Sequence, residues 1–268
     1  MQRPSWAPQG IELNRPSAAR MYDYYLGGSH NFAIDRQAAE QAIAMWPDLP
    51  LLMQANRAFL RRAVRFLLAQ GITQFLDIGS GIPTVGNVHE VAQQANPASR
   101  VVYVDIDPVA VAHSRAILEG NPHATVVQGD ARDPDQLIEQ PEVQRLLDLR
   151  QPVAVLLVAL LHFVPNDDDA YRLVYRLRDA IAPGSYIVIS HASFEGRPVE
   201  SASHTQLYSR TPTPMMMRSR ADIERFFDGL HIVEPGVVYL PVWRPESPDD
   251  VDDHPERFTG FAGVGRKE

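Results

Sequence analysis

Five short apolar runs, separated by helical patterns, constrain this fold more than any other feature of the chain. They are TQFLDIG (73–79), SRVVYVDID (99–107), ATVVQGD (124–130), PVAVLLVAL (152–160) and GSYIVISHAS (184–193). Each has strand length and β-branched content, and hardly alternates with polar residues. Strands covered on both faces read this way. Residues 108–119 carry Val109, Ala112 and Ala116 at helical spacing. Residues 167–182 place Ala170, Val174, Leu177 and Ile181 on one face, behind three aspartates that suit the positive end of a helix. Strand and helix in alternation predict an α/β fold: a doubly wound, mostly parallel sheet with helices on both faces.

The flanks are different. Before the first strand, a helix is predicted from a cap near Ser17 to the Gly27-Gly28 stop. A second starts near Asp35, and a third covers 51–70. In the third, Leu60, Ala63 and Leu67 share a face with Asn56, and Arg57, Arg61 and Arg65 run beside it. Residues 1–70 are therefore expected to form a helical cap packed on a core of residues 71–268, one compact unit together. After the fifth strand, 194–217 reads as a long polar segment, 219–230 as a capped helix, 231–243 as extended, and 258–268 as a final strand.

Composition narrows the function. The chain has no cysteine, which excludes disulfides, thiolate metal sites and cysteine nucleophiles. A net charge of −8 repels phosphate backbones, so no nucleic-acid partner is expected, although Arg57, Arg61, Arg62 and Arg65 leave room for a local basic patch. The first twenty residues hold no apolar leader core. The longest apolar run stops well short of the roughly 20 residues of a membrane span. A cytoplasmic protein without a membrane partner is the reading. The oligomeric state is left open.

The chemistry gathers at the strand ends. In an open parallel sheet, ligands bind outside the carboxyl ends of the strands. The first run turns through Gly79 and Gly81, which allow backbone positions that a Cβ would block. Taken alone, this is also how a plain tight turn reads. The nicotinamide fingerprint G-x-G-x-x-G is broken here by Thr84 at its third position. Instead an acid precedes the glycines, as D-x-G-x-G-x-P from Asp77. Asp105 ends the second run, where a carboxylate can accept both ribose hydroxyls. Ile106 is placed to cover an adenine face, and Asp130 to take an adenine amino group. Three successive strands delivering an acid at one end point to a nucleoside ligand.

This arrangement resembles the class I S-adenosylmethionine-dependent methyltransferases. LDIGSGIP, VVYVDIDP, VVQGDARDP and VLLVALLHFVP look like their four motifs in order, over residues 73–193. RPSAARMYDYYLGGSHNFAIDRQAAE, ANRAFLRRAVRFL and the closing GVGRK resemble an actinobacterial family of such enzymes long catalogued as a domain of unknown function. The resemblance implies a Rossmann-like class I fold with a mostly parallel seven-stranded sheet. It implies S-adenosyl-L-methionine as cofactor, contacted by Asp77, Gly79, Ser80, Gly81, Asp105, Ile106, Asp130 and Ala131. Tyr22, Tyr25 and Asn31 are candidates to close over it, and Arg57 to pair with its carboxylate. Each also has a plainer reading in helix packing or solvation.

The activity implied is methyl transfer to a small-molecule acceptor of the secondary-metabolite kind. The alternative is a sensor or partner protein that binds S-adenosylmethionine or S-adenosylhomocysteine without turnover. His162 and His191, after the fourth and fifth runs, are the candidate catalytic bases, and both also read as hydrogen-bonded strand-end histidines. No metal is expected, because those strand ends carry Ala159-Leu160 and Ser190-His191 where a metal site would want acids or amides.

Overall fold

The computed structural model describes residues 11–268 apart from 85 and 210. The first ten residues, on which part of the leader reading and the start of the cap rest, lie outside the described residues.

Each apolar run forms a strand: β1 (Gln74–Ile78), β2 (Arg100–Asp105), β3 (Ala124–Gln128), β4 (Ala154–Val158) and β5 (Tyr186–Ala192). All five are parallel. They stand in the order β3-β2-β1-β4-β5, so the order reverses between β1 and β4. Period-two geometry sends alternate side chains to opposite faces. Leu76, Val102, Val155 and Ile187 join one buried cluster. Their neighbours Phe75, Val101, Ala154 and Tyr186 join the other. Burying one such aliphatic side chain is worth roughly 1.5–3 kcal/mol.

Helices cover both faces. α6 (Pro134–Glu139), α7 (Pro141–Leu146), α8 (Asp167–Ala180) and α10 (Arg220–Arg225) feed the first cluster through residues such as Leu137, Val143, Leu177 and Ile223. α3 (Leu49–Ala69), α4 (Val88–Ala95) and α5 (Pro108–Ile117) feed the second. In α3 the stripe Phe59, Leu60, Ala63, Val64 and Leu67 is buried at helical spacing. The arginines beside it disperse. Arg62 donates to the carbonyls of Leu240 and Trp243, Arg65 pairs with Glu246, and Arg57 turns to a cavity.

The last strand, β8 (Gly260–Arg266), is antiparallel to β5. Two fragments, β6 (His231–Ile232) and β7 (Val238–Tyr239), pair with its outer edge. The sheet therefore has the seven strand positions expected, but eight strands. The outermost position is interrupted where Glu234, Pro235 and Gly236 loop away from the ladder, because a proline has no N–H to give it. The 194–217 segment also differs from expectation, for it contains α9 (Pro198–Tyr208). With α1 (Ala18–Tyr25), α2 (Ala33–Met45) and the start of α3, it closes a third cluster around Met21, Trp46, Leu49 and Tyr208.

Candidate functional site

The site grows from the end of β1. Gly79 and Gly81 have φ of 75° and 68°. A Cβ on Gly79 would stand 2.6 Å from Leu160 Cδ1, whereas one on Gly81 would meet nothing within 4 Å. The loop is held over β2 by the N–H groups of Gly79 and Ser80, which both donate to the Val104 carbonyl. Asp105 completes the cradle. Its Oδ2 accepts from the Gly81 N–H at 2.7 Å and its Oδ1 from the Asp107 N–H at 2.8 Å. Each oxygen keeps a lone pair for a further donor.

Burial pushes the Asp77 carboxyl up to about 7; the Arg57 guanidinium opposes the rise and Asp105 adds to it. Burial likewise raises Asp105 to about 6, against the N–H groups that bond it. Arg57 reaches in from α3. Its Nη2 lies 3.4 Å from the Gly86 carbonyl and from Asn87 Oδ1, while its Nε is buried without a hydrogen-bond partner. Ser80 Oγ is buried and unpartnered too.

A cavity of about 540 Å³ opens here, at the point where strand order reverses. Asp77, Gly79, Ser80, Gly81, Asp105, Ile106, Asp130, Ala131, Arg57 and Tyr22 all line it. Ile106 shows 47% of its surface, although large aliphatic side chains of this core are mostly covered. Asp130 sits on the rim, bonded to Arg132, whose hydrogen bonds hold its carboxyl below the usual range. The structure does not bring Tyr25 and Asn31 here. Tyr25 is buried in the third cluster with its hydroxyl 3.5 Å from that of Tyr208. Asn31 Nδ2 donates to Asp23 and to the Gly28 carbonyl.

The roof joins Ser17 and Asp35, which the sequence marks as helix starts, to Arg20 and Asp107, which sequence reading did not single out. Arg20 of α1 bridges Asp35 at 2.8 Å and Asp107 at 3.3 Å, and Ser17 also bonds Asp107. One signal was present: Asp107 before Pro108 is a helix cap, and its Oδ1 accepts from the Val109 N–H. Arg20 in α1 has no such local mark.

A second hollow, about 70 Å³, lies beside the first and shares Ala18, Tyr22, Asn56, Ala159 and Phe163 with it. Between them runs a fixed chain of hydrogen bonds. Asn56 Nδ2 donates to the Tyr22 hydroxyl at 2.9 Å, and Ser190 Oγ donates to Asn56 Oδ1 at 2.6 Å. Asn56 thus takes side-chain partners from α1 and β5. Ser190 Oγ also accepts from the N–H of Ala159, which holds a left-handed φ of 56° at the end of β4. Such strain gathers at functional sites.

His162 and His191 both line this hollow. His191 is fully engaged. Its Nδ1 stands 2.7 Å from the Ala192 carbonyl, which only accepts, so Nδ1 carries the proton. Its Nε2 stands 2.9 Å from Arg218 Nη1, which only donates. Burial, then Arg218, lowers this imidazole to about 3. His162 Nδ1 accepts from the Ala192 N–H at 3.4 Å, and burial, then His191 and Arg218, pushes it well below its ordinary value. Neither ring combines a free lone pair with ordinary basicity.

An open parallel sheet, a Gly-x-Gly cradle and strand-end carboxylates around a deep cavity define a class I S-adenosylmethionine-dependent methyltransferase. The comparisons agree. Residues 4–268 match the family described as S-adenosyl methyltransferase, and the chain belongs to it. It is 42% identical to a Thermobifida fusca YX protein described as a candidate methyltransferase, covering 99% of this chain and 100% of that one at a TM-score of 0.93. It is 39% identical to a DUF574 family protein of Streptomyces avermitilis, over 96% and 99% of the two chains at 0.91. Human N-acetylserotonin methyltransferase, solved with S-adenosylmethionine, is 14% identical over 94% and 63% of the chains at 0.51, a likeness of fold alone. No functionally curated protein matches the sequence.

Proposed function

We propose that this protein transfers a methyl group to a small-molecule acceptor, and that the large cavity holds S-adenosylmethionine. The observation that carries the reading is the pair of buried, unpartnered polar atoms, Arg57 Nε and Ser80 Oγ, beside a cradle left open at Gly81. Unpaired polar groups of this kind are expensive, so they mark a place where a polar ligand belongs. Arg57 suits the carboxylate of the methionine part, and Asp77 suits its ammonium. Asp105 takes the ribose hydroxyls, Ile106 covers the adenine, and Asp130 accepts its amino group.

The cofactor supplies an electrophilic methyl on a sulfonium. The chain's own task is alignment and exclusion of water, which can supply a large share of the barrier. Tyr22, Asn56 and Ser190 are rigid through mutual bonding and stand between the cavity and the hollow. The hollow is small and walled by the ends of the helices, so it suits part of a small acceptor.

Titration calorimetry with S-adenosylmethionine, S-adenosylhomocysteine and NAD tests the reading. The first two should bind and the third should not. Asp105→Ala should weaken binding about 150-fold or more, since it loses two hydrogen bonds to a charged group at about 1.5–3 kcal/mol each. Binding of NAD alone, or an Asp105→Ala variant with undiminished affinity, would overturn it.

A further inference from the structure

The hollow carries more than volume. Among the described residues its lining contains no Asp, Glu, Lys or Arg. Such a wall offers nothing to balance a charged ligand, and burying an unbalanced charge is prohibitive. The residues it does not share with the large cavity, its far side, include Trp46, His204 and Tyr208. Trp46 Nε1 and His204 Nδ1 are buried with no hydrogen-bond partner, in side chains only 1% and 3% exposed. The Trp46 and His204 rings meet edge-on, with centroids 5.8 Å apart, and His204 lies 4.8 Å from the Tyr208 ring. Burial lowers His204 to about 4, so it is a neutral donor or acceptor at physiological pH. Met215 and Met217 form part of the same wall and can adapt to a ring face. The space, about 70 Å³, is that of roughly five waters and less than a whole benzene ring needs, so it seats only the far edge of a ring whose reacting end stands at the shared residues Ala159 and Phe163.

We propose that this hollow seats the far end of the acceptor, a neutral, single-ring phenol bearing a second oxygen substituent. The second oxygen bonds Trp46 Nε1 and His204 Nδ1 at the far wall, and the reacting hydroxyl faces Ala159 and the cavity. On methylation the phenol oxygen forms the bond to the methyl carbon. The carbon–sulfur bond breaks with its pair left on sulfur, and the phenolic proton passes to bulk solvent at the mouth of the large cavity. His162 and His191 then shape the wall and do not act as bases. This assignment rests on the methyl-transfer reading above.

The test is binding of resorcinol, benzylamine, benzoate and toluene, read by ligand-observed NMR and calorimetry, with and without saturating S-adenosylhomocysteine. Resorcinol should bind at least tenfold more tightly than the two charged probes and than toluene. Trp46→Phe and His204→Leu should each weaken resorcinol about five- to tenfold while S-adenosylhomocysteine affinity, the check on folding, stays unchanged. His204→Gln, which keeps a hydrogen-bonding group, should recover part of the loss. Failure of resorcinol to bind, equal binding of a charged probe, or unchanged affinity in the folded variants overturns the acceptor assignment alone. Failure of S-adenosylhomocysteine to bind the unaltered protein overturns the cofactor reading instead.

Discussion

Asp77 is a carboxyl held near neutrality by its surroundings, raised to about 7 by burial with Asp105 close behind at about 6. A cationic ligand beside it favours the ionised form, so binding must expel whatever proton Asp77 still carries. The sign follows from linkage: affinity for S-adenosylmethionine should rise with pH through the window from about 6 to 7 and flatten above it. Below that window each pH unit costs up to about tenfold per carboxyl that must ionise. Calorimetry in buffers of different ionisation enthalpy should show proton release near pH 6.5, and Asp77→Asn should flatten the profile. The residue types at this corner were legible in the sequence, because Asp77, Gly79, Gly81 and Asp105 follow directly from strand-end geometry. Tyr25 and Asn31 were not, because a helix pattern shows which residues share a face but not which neighbour that face meets.

At the scale of elements, α1 is tied to the site through charge. Arg20 and Asp35 are both almost fully buried, and Asp35 also accepts from the N–H groups of Ser17 and Phe32. Removing one member of such a pair leaves a buried charge uncompensated, which costs about 3–5 kcal/mol. Arg20→Leu should lose about that much in urea unfolding. Arg20→Leu with Asp35→Leu should lose clearly less than the sum of the two single changes. Additive losses would show that the pair is not coupled. α9 escaped sequence reading for a related reason. PVESASHTQLY has no apolar stripe, and the face it buries presents Ser201, His204 and Tyr208. The outermost strand was legible as extended but not as two pieces, since the loop at Pro235 and Gly236 is decided against the ladder of β8.

At the scale of the molecule, the stripe of α3 lies in the same buried cluster as β1, β2, β4 and β5. α3 also carries Leu49 and Leu52 into the third cluster that holds α1 and α2, so cap and sheet are coupled through one helix. Differential scanning calorimetry should therefore show one cooperative transition for residues 1–268, moved upward by S-adenosylmethionine in proportion to the logarithm of its concentration. Two resolved transitions would make the helical cap a separate unit.

The sheet, its parallel sense and the cofactor class were legible in the chain alone. Those properties are written in short windows: apolar runs of strand length, glycines at a turn, acids where strands stop. The roof over the cavity and the hollow beside it were decided only by tertiary structure. Arg20 meets Asp107 across 87 positions and Ser190 meets Asn56 across 134. Contacts at such separation arise from how α1, α3 and α9 pack over the strand ends, and no local pattern encodes which side chains will share that space.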